Sequence, residues 1–440
     1  MADTIFAHLG YCKKSALILF RISGESALDS LSQLGVTKII KDRKATLCNL
    51  IDPDDKSILD QSIITYFKSP HSYTGEDVIE ISCHPSSYII NRVVAILLKI
   101  NNFRYAKEGE FTKLALLNNK IDLIQAESIL DIINSKTKYQ HKQAISQLSG
   151  HHSAIYNNWR NDIINIIANL ESSIDFPDED LPTAIIKQSW DKINILTNKI
   201  SQQLQNNFGQ KIKEGISIVI LGDPNVGKST LMNYINQKDI SIISNIAGTT
   251  RDIVESYLDI AGYEVVISDT AGIRESNDII EKQGIKKAIN KIEQSDIKII
   301  ILESDNLKSD NLKFYDQNSI LLINKIDIKD PIIDATLSKK EPILISLEKN
   351  MNLDQIYIAI ENKIKNIIGD LDNDSLITNQ RHRNNLEKTL LLLKEISFED
   401  NIEITAEKLR SIAYQIGQIT GDIAIDDILD VIFLKFCIGK

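Results

Sequence analysis

The stretch Gly222-Asp223-Pro224-Asn225-Val226-Gly227-Lys228-Ser229 decides the fold. It follows the apolar run Ile216–Leu221, which reads as a buried strand, and precedes residues 230–235, which open a helix. Strand, glycine-bounded loop and helix together make a phosphate-binding P-loop, because backbone N–H groups can wrap a β-phosphate only where small residues let the chain turn back on itself. The helix N-terminus adds its free amides and dipole. Lys228 is placed to reach the β- and γ-phosphates, and the Ser229 hydroxyl to sit on Mg²⁺. A chance glycine turn does not account for this context.

Four further elements follow in order. Residues 319–323 form an apolar strand ending in Asn324-Lys325-Ile326-Asp327. A carboxylate there can accept from guanine N1–H and the exocyclic amine, a donor pair that adenine lacks. Lys325 can lie along the purine face and Asn324 can tie this loop to the P-loop. A second strand over 342–345 ends in Ser346-Leu347, where a backbone contact to the base is expected. Asp269-Thr270-Ala271-Gly272 closes a strand over 264–268; Asp269 would hold Mg²⁺ through water and the Gly272 N–H would meet the γ-phosphate. Between these motifs lies Gly248-Thr249-Thr250-Arg251-Asp252, in which a threonine can ligate Mg²⁺ only while the γ-phosphate is present, the behaviour of a switch. The set specifies a guanine nucleotide and its hydrolysis.

One absence shapes the expected chemistry. The residue after DTAG is Ile273, which cannot orient a water as a glutamine there would. Glu275, Glu281 and Gln283 remain as candidates, and a bound monovalent cation is an alternative to an arginine finger.

The 440 residues exceed one domain, and 43% hydrophobic content is enough for proper cores. No run approaches the ~18 apolar residues of a membrane span, and the first residues lack a signal pattern, so a cytoplasmic protein without a membrane partner is expected. Four scattered cysteines suggest neither disulfides nor zinc. A net charge of −10 opposes nucleic-acid binding, so any RNA contact needs a local basic patch or a partner protein. The pattern divides the chain into an α+β domain over 1–118, a discontinuous helical domain over 119–212 and 370–440, and a GTPase domain over 213–369 inserted between the helical halves. The fold class is multidomain α/β and α.

Outside the P-loop region stand Arg21-Ile22-Ser23-Gly24, Tyr73-Thr74-Gly75-Glu76-Asp77-Val78-Ile79-Glu80, Gly109-Glu110-Phe111-Thr112 and Leu117-Asn118-Asn119-Lys120-Ile121-Asp122-Leu123. Ile174-Asp175-Phe176-Pro177 and the terminal Phe436-Cys437-Ile438-Gly439-Lys440 complete the set. With these residues the chain resembles, over essentially its whole length, the MnmE/TrmE family of tRNA-modification GTPases. The resemblance implies a folate-binding-like N-terminal α+β domain that also dimerises, a helical domain and an inserted Ras-like P-loop GTPase domain. It implies a homodimer that works with an FAD-dependent MnmG/GidA-type partner to place a carboxymethylaminomethyl-type group on C5 of the wobble uridine of certain tRNAs. The one-carbon unit would come from a tetrahydrofolate derivative, 5-formyl or methylene, at Arg21, Glu80, Lys120 and Lys440.

By the same resemblance, K⁺ would be held by Asn225, Ser244, Ile246 and Thr249, and Mg²⁺ by Ser229 and Thr250. Glu281 would be the water-positioning residue. GTP would be contacted by Asn225, Val226, Gly227, Lys228, Ser229 and Thr230, and by Ser244, Asn245, Ile246, Ala247, Gly248, Thr249 and Thr250. Asp269, Thr270, Ala271 and Gly272, with Asn324, Lys325, Asp327, Ser346 and Leu347, would complete its site. Two segments depart from the family pattern, 9–15 with fewer glycines and His84-Pro85-Ser86 in place of His-Gly-Gly. The competing readings are a ribosome-assembly GTPase of the Era/Der type and a nucleotide-switched scaffold. The first lacks here a second GTPase domain and a KH-like GxxG segment.

Overall fold

The computed structural model describes residues 3–9, 15–175, 183–238, 255–269, 289–369, 375–397, 401–422, 429 and 432–439. Its contacts divide the chain into two compact units. One comprises 1–130, 147–161 and 416–440, the other 131–146 and 162–415.

The first unit is built on a six-stranded sheet. Its strands are β1 (Thr4–Leu9), β2 (Ile18–Ser23), β3 (Thr46–Ile51), β4 (Ile58–Phe67), β5 (Val78–Cys83) and β6 (Phe103–Tyr105), in the order β3-β4-β5-β2-β1-β6. All neighbours are antiparallel except β1 and β6. Alternation along the strands sends Phe20, Ile22, Ile79 and Ile81 into a core covered by helix α1 (Asp29–Gln33) and helix α2 (Ser87–Leu97), whose Ile89, Ile90, Val93 and Leu97 recur at helical spacing. Arg21 and Glu80 alternate to the other face, where helix α3 (Glu110–Leu117) buries Phe111 against Ile5 and Ala7. Helix α4 (Leu123–Asn134) begins at a reciprocal cap: Asp122 Oδ1 accepts from the Gln125 N–H at 2.9 Å, and Gln125 Oε1 from the Asp122 N–H at 3.0 Å. Burial pushes the Asp122 carboxyl up. The C-terminal segment is packed in this unit, with Leu429, Phe433 and Phe436 buried against Leu123 and Ala126. Cys48 and Cys83 are buried free thiols, and burial pushes Cys83 up to about 11.

The helical part of the chain continues as α5 (Lys138–Leu148), α6 (His151–Asp175), α7 (Thr183–Gln205) and α8 (Phe208–Glu214). In α6 Trp159, Ile163, Ile166, Ile167 and Leu170 recur at helical spacing and are buried. In the second unit α8 ends at Gly215, with φ 87°, and the chain enters a second six-stranded sheet. Its strands are β7 (Ile216–Leu221), β8 (Glu255–Ile260), β9 (Tyr263–Asp269), β10 (Ile297–Glu303), β11 (Ser319–Asn324) and β12 (Ile343–Leu344), in the order β12-β11-β10-β7-β9-β8. Every pair is parallel except the β8–β9 hairpin. Both faces are covered, which is why β7 reads as an apolar run interrupted only by Ser217. Ile218 and Ile220 face helix α11 (Asp354–Ile368) through Ile356, Ile360 and Ile364, and Val219 and Leu221 face a second cluster. Between lie helix α9 (Lys228–Lys238) and the short α10 (Ala335–Ser338). Helices α12 (Gln380–Lys394) and α13 (Ile402–Thr420) follow. No helix among the described residues is long and apolar enough to cross a membrane.

Candidate functional site

The P-loop leaves the carboxyl end of β7 and runs directly into α9. Two glycines are fixed by space. A Cβ on Gly222 would stand 2.5 Å from the Ile301 carbonyl, and one on Gly227, with φ 107°, would stand 2.6 Å from Asn324 Nδ2. Lys228 Nζ donates to the Gly222 and Asp223 carbonyls, each at 2.8 Å, so the ammonium is already folded over the loop a phosphate would enter. Asn225 is exposed with φ 62°, and Ser229 and Thr230 lie on the first turn of α9. This cradle of small residues, free helix-terminal amides and a folded-back lysine fits a nucleotide phosphate chain.

The base-side loop is braced to the P-loop. Buried Asn324 donates through Nδ2 to the Val226 carbonyl at 2.8 Å and accepts the Leu347 N–H on Oδ1 at 3.1 Å. Ser346 is fully buried and closes a two-way backbone bridge with Met351. Asp327 is exposed, and among the described residues its carboxylate has no hydrogen-bond partner.

Several residues at this site carry no signature in the sequence motifs. Glu303, at the end of β10, pairs with the Lys325 ammonium, and Ser304 donates to the Lys325 carbonyl at 2.9 Å. Asp223 accepts from Ser309 Oγ at 2.9 Å and from Asn311 Nδ2 at 3.2 Å, which fastens the P-loop to the turn after β10. The only signal available was the position of Glu303, one strand-end away from the NKxD loop in a parallel sheet.

Asp269 ends β9. The segments 244–250 and Thr270–Gly272, with Glu275, Glu281 and Gln283, lie outside the described residues, as do Lys440 and most of the departing segment 9–15. The β8–β9 hairpin between those segments is held at its turn within the second unit. Glu264, buried at the start of β9, accepts from Lys136 Nζ at 2.7 Å and from Gln140 Nε2 at 2.6 Å. Tyr139 stacks on Tyr263 with ring centroids 4.4 Å apart.

A second cluster lies in the first unit. The antiparallel register of β2 and β5 sets Arg21 opposite Glu80, and the guanidinium donates from Nε and Nη2 to Glu80 Oε1 at 2.9 and 2.8 Å. Among the described residues Oε2 of Glu80 has no partner. Arg21 Nη1 also donates to the Gly439 carbonyl at 3.3 Å, which brings the chain end to the same place. The tail is close-packed there, since a Cβ on Gly439 would meet Leu9 Cδ2 at 2.0 Å. Tyr73 and Phe111 flank the guanidinium, with ring centroids 5.3 and 5.7 Å from it, and burial pushes the Tyr73 phenol up. Lys120 Nζ donates to the Pro70 carbonyl at 2.8 Å. His84 sits just past the end of β5, held by Asp60 through its backbone N–H and Nδ1, each at 2.8 Å. A partly shielded guanidinium–carboxylate pair between two aromatic rings suits a flat, polar-edged ligand.

The family model described as GTP-binding protein TrmE N-terminus matches residues 4–120, and that described as MnmE helical domain matches 123–437. The tRNA modification GTPase MnmE of Rickettsia rickettsii is 45% identical over the full length of both chains, and that of Rickettsia typhi 43%. Among solved structures, an Era variant from Aquifex aeolicus is 24% identical, covering 42% of this chain and 68% of its own, with a TM-score of 0.28. The FeoB G-domain of Methanococcus jannaschii is 24% identical over 34% of this chain and 98% of its own, with a TM-score of 0.26. With family models and relatives matching at this identity and extent, the chain belongs to the MnmE/TrmE family of tRNA modification GTPases.

Proposed function

We propose that this protein is a K⁺-dependent GTP hydrolase that, as a homodimer with an FAD-dependent MnmG/GidA-type partner, adds a carboxymethylaminomethyl-type group to C5 of the wobble uridine of certain tRNAs. Membership of the family supports the GTPase and tRNA assignments. The observation that carries the one-carbon part is the meeting of Arg21, Glu80 and the Gly439 carbonyl, three residues remote in sequence, at one polar site between Tyr73 and Phe111.

In the second unit Lys228 and the P-loop amides hold the phosphates, Ser229 and Thr250 hold Mg²⁺, and Asp327 selects guanine. Asn225, Ser244, Ile246 and Thr249 hold K⁺, which supplies the positive charge an arginine finger would bring, and Glu281 positions the water. In the first unit Arg21, Glu80, Lys120 and Lys440 bind the tetrahydrofolate derivative, whose role is to supply the one-carbon unit. Glu80 Oε2 is available to accept from a pterin edge, and the cations suit the carboxylates of a folate tail.

Nucleoside analysis of wobble uridines in cells lacking this gene tests the reading. Loss of the modification is expected, and unaltered wobble uridines would overturn it. Deleting residues 438–440 is expected to abolish modification and leave GTP binding intact. Retained modification would remove the tail from the one-carbon site.

A further inference from the structure

The chain is acidic as a whole, with a net charge of −10, yet one edge of the first unit is not. The loop between α1 and β3 lies against the end of β4. Asp42 bridges to Tyr66, the Arg43 N–H donates to the Tyr66 carbonyl at 2.8 Å, and the Lys68 N–H donates to Asp42 Oδ1 at 2.9 Å. This pairing gathers exposed Lys38, Lys41, Arg43, Lys44 and Lys68 along one margin, continued by exposed Lys120 over Pro70. Among the described residues none of these six forms an ion pair with a carboxylate. The nearby carboxylates accept from neutral donors and are outnumbered by the cations. Asp42 takes the Lys68 amide, and Asp77 takes the Ser69 amide at 2.8 Å and the Tyr66 hydroxyl at 2.9 Å.

These five lysines and one arginine outnumber the Asp42 carboxylate set among them, so the margin carries a net positive charge that its own fold leaves unneutralised, and a use for that charge is sought outside it. Arg43 is also fixed in aim. It spends one donor on the His71 carbonyl and lies 5.9 Å from the Phe67 ring centroid, and its remaining N–H groups stay at an exposed position. A planar guanidinium so held suits bidentate phosphate contact, and the flanking lysines act as point charges. Location narrows the partner. Two residues beyond His71, Tyr73 carries its ring against the Arg21 guanidinium, so the basic margin runs up to the candidate one-carbon site.

We propose that this margin is a phosphate-backbone contact for the substrate tRNA, gripping the anticodon arm so that its wobble base reaches the site at Arg21 and Glu80. The assignment rests on the tRNA-modification reading above. It concerns phosphates and shape, so the margin positions the RNA and does not read its sequence.

The test uses the full-length protein and a fluorescently labelled tRNA transcript with uridine at the wobble position, titrated from about 50 to 300 mM KCl. The triple variant Lys41→Gln, Lys44→Gln, Lys68→Gln removes three ammonium groups that form no ion pair among the described residues. Removal of one phosphate-binding cation is expected to flatten the slope of log K against log[salt] by roughly 0.7–0.9, so the variant's slope should be shallower by about two, with binding at least about ten-fold weaker at low salt. Its GTP hydrolysis without tRNA should match the parent, and the triple Lys→Arg variant should bind as the parent does. Equal affinity and slope in the Gln variant overturn the proposal. So does a parent protein that binds no tRNA at any salt, a result that leaves the modification reading to the nucleoside analysis. If the variant instead loses binding to phosphatidylserine vesicles while keeping tRNA, the margin is a membrane-binding face and the RNA assignment is wrong.

Discussion

Asn324 and Val226 are joined across the second unit by a 2.8 Å hydrogen bond from a side-chain amide to a P-loop carbonyl, with both residues buried. The same Asn324 accepts the Leu347 N–H, so one side chain sets the spacing of the three loops at this end of the sheet. Asn324→Ala strands a buried carbonyl and a buried amide. It should destabilise the second unit by about 1–3 kcal/mol and weaken guanine nucleotide binding at least ten-fold. Equilibrium GDP binding with thermal unfolding checks this, and unchanged affinity would mean the three loops are spaced by other interactions.

Asp327 is expected to set base choice. Asp327→Asn should lower GTP affinity by roughly 2–4 kcal/mol, the loss of charge-assisted hydrogen bonds to the base, and should gain xanthine nucleotide binding. Equal loss for both nucleotides would show that the loop had merely been disturbed.

Hydrolysis should be several-fold to many-fold faster in K⁺ than in Na⁺ at equal ionic strength. Glu281→Ala should lower kcat with little change in nucleotide affinity, the mark of an interaction made mainly in the transition state. A rate indifferent to the cation, together with a fully active Glu281→Ala, rules this mechanism out.

An acid-dependent contribution is expected in the first unit. Hydrogen bonds from Arg92 hold the Asp52 carboxyl down at about 2, with the Asp54 backbone adding to the effect. The folded-state value lies below the unfolded one of about 4. The pair's contribution is therefore complete above about pH 4 and is lost as pH falls toward 2. Asp52→Asn should be less stable than the parent at pH 6, and the gap should close through that window. Thermal unfolding across it decides the matter; a gap constant down to about pH 2.5 contradicts the assignment.

Local patterns gave the GTPase region away because both its fold and its chemistry are written in short contiguous stretches. The apolar run of β7 and the Asn324 brace were both legible. The strand expected over 342–345 is only Ile343–Leu344, since Pro342 has no N–H to give the ladder and the chain soon bends into the bridge between Ser346 and Met351. In the first unit the site is assembled by pairing. Arg21 and Glu80 are 59 residues apart and meet only through the β2–β5 register, and Gly439 joins them from the other end of the chain. The rings of Tyr73 and Phe111 sit inside recognisable motifs, yet nothing in those motifs says that both face one guanidinium.

The second sheet enters the helical chain at Gly215 and leaves it at Gly369, and a Cβ on Gly369 would stand 3.1 Å from the ring of Phe208, on the helix just before the point of entry. The exit thus lies against the helix that leads to the doorway. For the helices on either side, the whole nucleotide-binding module is a loop whose ends are already closed. The entropy of closing a loop grows only with the logarithm of its length, about 0.6 kcal/mol per doubling. The host helices can therefore tolerate large changes in the size of their guest at small thermodynamic cost, and the guest can acquire its own core before the two helical stretches find each other.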